Sequence, residues 1–227
     1  MWVNPLLQFD TNKLFYNKFK HKLVIRNSLT YIFREKKYQE SRVVLDHLQH
    51  LYEENQPLQL KSHMRITSVS LPDFLECKTL LSLLQNHKED YKLRVEHPNL
   101  NIYSNNLNWL LAITYKIQNC EEIWSPTSSI EKLLQPNIII SKNPTNYPIK
   151  LTLGNNGHID PSFIQWAENN KKLIKIGNGL KEKILNSGYV SGMYFYVRDE
   201  KVLNLINLMI SSAIVRIDKI LCKEDIR

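Results

Sequence analysis

Cysteine, glycine and proline are all scarce in this chain of 227 residues, which holds 3 Cys, 6 Gly and 9 Pro. An odd number of cysteines, with none at CxxC spacing, excludes a disulfide-stapled scaffold. Cys77, Cys120 and Cys222 therefore read as small buried hydrophobes in a reducing interior. So little glycine and proline excludes collagen-like and low-complexity chains. No apolar run approaches the roughly 18 residues that a membrane-spanning helix needs, so no membrane partner is expected. The opening MWVNPLLQFD has no basic stretch ahead of an apolar one and no small-residue cleavage site. A cytoplasmic location is expected, which would be the host cytoplasm for a viral chain or the matrix for an organellar one.

Motifs that carry chemistry are missing too. GNNGHID at 154–160 has neither the Lys-Ser/Thr of a P-loop nor Rossmann glycine spacing, and no GxSxG occurs. PDFLECK superficially echoes the acidic pair of PD…ExK nucleases, which lies on neighbouring strands. Here Asp73 and Glu76 fall one turn apart on an expected helix. His47 and His50 share a helix face near Asp46, and His158 precedes Asp160, but neither set has a third and fourth ligand at characteristic spacing. The expectation is no catalytic residue, no metal and no cofactor.

What is present is a core and a charge pattern. The chain is 43% hydrophobic, 23% charged and 10% aromatic, enough to fold. Asn, Ile and Lys make up 68 of the 227 residues, the mark of an AT-rich coding sequence such as many phages, viruses and organelles have. Such a bias raises Lys everywhere, yet the charge is uneven. Residues 1–50 carry a net +5, residues 51–170 a net −2 and residues 171–227 a net +5. Basic charge gathered at both ends points to a polyanionic partner better than the isoelectric point of about 9.3 does.

Periodicity outlines the elements. Residues 19–34 place Phe19, Leu23, Ile25, Leu29, Tyr31 and Phe33 on odd positions, which predicts a strand with Lys20, Lys22 and Arg26 on its outer face. Asn27-Ser28 offers a turn as the alternative. Helices are expected at 39–54, at 72–87 behind the cap Ser70, and at 106–118. Strands are expected at 62–69, 91–96, 100–104 and 121–124. Four prolines in 125–148, broken by a short helix at 128–134, mark a connector between a domain at 1–124 and one at 149–227. In the latter, YPIKLTL and LIKIG read as strands, Asp160 as the cap of a helix to about Asn170, and Gly188 as the left-handed end of a helix at 179–186.

Two segments share one plan: LNIYSNNLNWLLAITYKIQNCEEIW and MYFYVRDEKVLNLINLMISSAIVRIDKI. Each has an aromatic strand, a polar turn, an apolar helix and a return strand. The expected fold class is α+β: two halves built of βαβ-type units, ferredoxin-like in one version, with mixed sheets covered by helices.

Two constellations suit a nucleic acid. Span 13–38 interleaves aromatics with Lys18, Lys20, Lys22, Arg26 and Arg34. GMYFYVRD at 192–199 turns Tyr194, Tyr196 and Arg198 to one face of a strand, and Met193, Phe195 and Val197 to the other. The octamer departs from the RNP1 strand of an RRM at Ser191, Met193 and Tyr194, so no such resemblance is drawn. The expected function is a non-enzymatic nucleic-acid-binding protein favouring RNA or single-stranded DNA. The alternative is a viral or phage structural or assembly protein that docks an acidic protein surface.

Overall fold

The computed structural model describes residues 5–62, 65–155 and 159–223. The chain divides into two compact units, one of residues 1–11 and 18–131, the other of residues 12–17 and 132–227. Each is an α+β unit built on a five-stranded mixed sheet.

In the first unit the strands are β1 (Leu7–Asp10), β2 (His21–Arg26), β5 (Tyr91–Glu96), β6 (Asn99–Ser104) and β7 (Cys120–Ser125), in the spatial order β1-β7-β2-β6-β5. Between β2 and β5 the chain adds α1 (Tyr38–Glu53), a hairpin β3 (Gln59–Ser62) with β4 (Arg65–Ser68), and α2 (Leu71–Asn86). Helix α3 (Leu107–Thr114) joins β6 to β7, and the single turn α4 (Ser128–Glu131) follows β7. Leu23 and Ile25 of β2, with Leu100 and Ile102 of β6, form one core with Leu48 of α1, Phe74 of α2 and Leu110 of α3. The helices thus cover the face of the sheet that carries the odd-numbered residues of β2.

The second unit repeats the scheme. Its strands are β8 (Ile138–Ser141), β9 (Ile149–Leu153), β10 (Ile174–Ile176), β11 (Tyr194–Val197) and β12 (Ile214–Cys222). Their order β10-β11-β9-β12-β8 is that of the first sheet read from its other edge. Between them run α5 (Ser162–Asn169), α6 (Asn178–Leu185) and α7 (Glu200–Ile210). In both sheets the first strand lies parallel on one edge, against β7 or β12. The other four pair antiparallel throughout. In the first unit those four alternate with helices as strand, helices, strand, strand, helix, strand; in the second, α6 adds a helix between β10 and β11. The shared sequence plan is thus a shared topology: β6-α3-β7 and β11-α7-β12 each straddle an antiparallel central strand.

Several local expectations change. The strand predicted over 19–34 ends at Arg26, because the Asn27 side chain accepts from Leu29 N at 2.9 Å and closes a turn. A 3-10 segment, Thr30–Lys36, follows, so Arg34 is not on the strand at all. The connector expected over 125–148 holds β8, whose Ile140 is 2% exposed; an apolar run of three isoleucines outweighed the surrounding prolines. Residues expected as one strand over 62–69 are split between β3 and β4. The left-handed residue after α6 is Ser187 (φ 50°), one before Gly188, whose amide closes on Lys183 O at 2.7 Å. Asp160 accepts from Ser162 N at 2.8 Å, at the entry to α5. His158 lies outside the described residues. No helix among the described residues is long and apolar enough to cross a membrane.

Candidate functional site

Alternation along β11 settles which residues face the helices. Phe195 and Val197 are 0% exposed and join the core with Leu151 of β9, Phe163 of α5 and Ile206 of α7. Tyr194, 46% exposed, and the half-buried Tyr196 point to the opposite face. The neighbouring strands add their own outward residues to that face. Tyr196 pairs in register with Lys150 on one side and Lys175 on the other, and Lys150 pairs in turn with Asp218. One row further, Thr152 sits between Tyr194 and Arg216.

The side chains in these two rows are mutually arranged. The Tyr194 and Tyr196 rings meet edge to face, with centroids 5.5 Å apart and planes at 74°. Lys150 Nζ lies 3.9 Å from the centre of the Tyr194 ring. Burial pulls the Lys150 ammonium below its ordinary pKa, and repulsion from Lys13 and Arg216 adds to this, while Asp218 partly offsets it. Burial also raises the Tyr196 phenol, with Tyr194 adding to the effect, so the ring stays neutral in the physiological range. Arg216 Nε donates to Asp218 at 2.9 Å, and Asp218 is only 3% exposed. Thr152 is 9% exposed, and its hydroxyl has no hydrogen-bond partner among the described residues. Arg198, placed on this face by the sequence pattern, lies beyond the end of β11 and donates to Asp199 at 3.0 Å.

The cations predicted at the N-terminal end have a different setting. Lys18 pairs with Asp90, Lys20 with Glu131 at 2.9 Å, Lys22 with Glu122 at 3.7 Å and Arg26 with Glu121 at 3.4 Å. The acids come from other elements of the same unit, which the sequence pattern of 13–38 could not reveal. Lys22 also lies 4.4 Å from the centre of the Trp124 ring, and burial lowers its pKa. Arg34 stands apart from them and lines a cavity of about 470 Å³ with Tyr31, Lys37 and Glu40. Phe9 stacks on Trp124 with centroids 4.6 Å apart. A row Trp124, Lys22, Tyr103, Lys92 crosses this sheet just as Asp218, Lys150, Tyr196, Lys175 crosses the other.

No protein family, curated protein or solved structure matches this chain. The chemistry must therefore be read from the residues. Asp73 and Glu76 have structural duties: Asp73 accepts from the Ser28 hydroxyl at 2.6 Å, and Glu76 accepts from Gln118 N at 2.8 Å and Asn119 N at 3.2 Å. His50 Nε2 lies 3.3 Å from Glu54. Among the described residues, no group of three His, Cys, Asp or Glu is close enough to hold a metal ion.

Sequence reasoning missed Lys150, Thr152, Lys175, Arg216 and Asp218. Each sits out of phase with inward apolar residues on its own strand, as in IKLTL and RID, so its facing was legible. Its neighbours were not, because strand order brings together residues from four separate stretches of chain.

Proposed function

We propose that this protein binds single-stranded nucleic acid, RNA or single-stranded DNA, on the face of the second sheet that carries Tyr194 and Tyr196, and does so without catalysing a reaction. The observation that carries this reading is the row Lys175, Tyr196, Lys150, beside the more exposed Tyr194. Flat rings offer a stacking surface to unpaired bases, and flanking ammonium groups meet the phosphates that run past them. Duplex hides its base faces and would use only the charge. A depressed Lys150 is suited to this, because an arriving phosphate relieves its repulsion from Lys13 and Arg216.

The N-terminal cations have a lesser part in the proposal. Lys18, Lys20, Lys22 and Arg26 each hold a carboxylate already, and a phosphate must displace it before counterion release is gained.

The test is a salt titration of binding to fluorescently labelled RNA, single-stranded DNA and duplex of equal length. Single strands are expected to bind tighter, with a slope of about 0.7 per neutralised phosphate. Lys150→Ala with Lys175→Ala should flatten that slope, and Lys20→Ala, Lys22→Ala and Arg26→Ala together should change it less. Tyr196→Ala should weaken binding by roughly 1–3 kcal/mol. Absence of binding to any oligonucleotide, with capture of an acidic protein instead, would replace this reading with that of an assembly protein.

A further inference from the structure

We infer that this face reads base identity and selects an unpaired guanine, with Arg216 as the reader and Asp218 as the residue that positions it. The inference rests on the preceding proposal of single-strand binding. It starts from an acid where a phosphate-binding face should have none. Asp218 lies in the row with Lys150 and Tyr196 and would repel a passing phosphate if its charge were open to it. Instead it is 3% exposed and accepts from Arg216 Nε at 2.9 Å. Lys150 and Lys175 already offer point charges to a passing phosphate, and the pinned guanidinium adds a directional fork to them. A guanidinium fixed through Nε keeps its plane, and its two terminal nitrogens point away along the fork. Those two nitrogens form no hydrogen bond among the described residues.

A fixed pair of parallel donors matches a pair of parallel acceptors. Guanine presents O6 and N7 side by side on its Hoogsteen edge. Adenine presents N7 beside an amino group, which meets the same donors with a donor. Uracil offers no such pair; cytosine sets N3 beside O2, but its single small ring gives less surface to stack on Tyr194 than a purine does. Two neighbours complete the arrangement. Tyr194 leaves its ring partly open for the base to stack upon. Between it and Arg216 in register, Thr152 holds a buried hydroxyl with no partner among the described residues. A hydroxyl left unpaired in a dry site is costly, and a polar base edge arriving there would satisfy it.

The experiment compares nine-nucleotide RNAs made of uridine with G, A, C or U at the centre, by fluorescence polarisation at fixed salt. The G-centred strand should bind about tenfold tighter than the other three. Replacing its guanine with 7-deazaguanine, which lacks the N7 acceptor, should remove most of that advantage without altering the protein. Arg216→Lys keeps the charge and loses the fork, so the ratio of G-centred to all-uridine affinity should fall from about ten to about one. Equal binding of all four strands, or a preference that survives Arg216→Lys, overturns the inference and leaves single-strand binding standing. Failure of every strand to bind overturns both.

Discussion

Asn106 and Asp199 hold the same post in the two units. Asn106 accepts from Trp109 N at 2.9 Å to cap α3, and Asp199 accepts from Val202 N at 3.0 Å to cap α7. Each follows the aromatic strand by the same interval, with Tyr103 and Tyr196 three residues before the cap. A one-for-one match of cap, strand and helix argues that the two βαβ segments are copies of one structural solution.

The caps should differ in their response to pH. Asn106→Ala should lower stability by roughly 1 kcal/mol at any pH. Asp199 is charged, and the amide of Val202, then Arg198, holds its carboxyl below the usual range. Its contribution is therefore present above the carboxylate's unfolded pKa and lost as pH falls through the lowered folded value. Denaturant melts of Asp199→Ala should show a deficit at neutral pH that shrinks in acid. A deficit independent of pH would mean that the charge is irrelevant to the cap.

Phe195 and Tyr196 are adjacent and should behave oppositely. Phe195→Ala removes a ring at 0% exposure from the second core and should cost roughly 3–5 kcal/mol. Tyr196→Ala should affect stability mildly, because its ring faces away from that core. Urea midpoints of the two variants check this, and equal losses would place both faces of β11 in packed interiors.

Lys150 should be a residue that trades stability for binding. Its ammonium is disfavoured in the folded chain, so folding stability should rise with pH between the lowered folded pKa and the ordinary lysine value. Lys150→Met keeps the apolar stem and drops the charge. It should melt no lower than the parent at neutral pH, lose part of the alkaline rise, and bind RNA more weakly. A clearly lower melting temperature would show that the contact of Lys150 with the Tyr194 ring outweighs the cost of burying the charge.

Gly154 is tied to the irregularity at the start of β12. A Cβ on it would lie 2.1 Å from Val215 Cγ1, at the step where the register with β9 shifts. Gly154→Ala should destabilise by about 1 kcal/mol or more, and Val215→Ala in the same chain should restore most of the loss. Thermal melts of the two single variants and the double give the coupling directly.

Cysteine reactivity is a final check on the cores. Burial raises the Cys77 thiol well above its ordinary value and pushes Cys120 up to about 12, with nearby carboxylates adding to both. Neither should react with a disulfide reagent at neutral pH until denaturant is added. Rapid labelling of the native chain would contradict the burial of both.

Local chemistry was legible in the sequence because it depends on near neighbours in the chain. Ser70 and Asp160 announce helix starts: Ser70 accepts from Asp73 N at 3.2 Å and Asp160 from Ser162 N at 2.8 Å. The alternation in YFYV fixes which residues share a face, since successive strand side chains point to opposite sides. The repeated plan of strand, polar turn, helix and strand carried the α+β class. What the sequence pattern could not carry was pairing across distance. Whether Lys20, Lys22 and Arg26 stand free or against Glu131, Glu122 and Glu121 depends on which strands and helices lie beside β2. Whether Tyr196 has cations at its sides depends on β9 and β10 flanking β11. Facing is a property of one strand and its period. Company is a property of the whole sheet, and only the tertiary structure decided it.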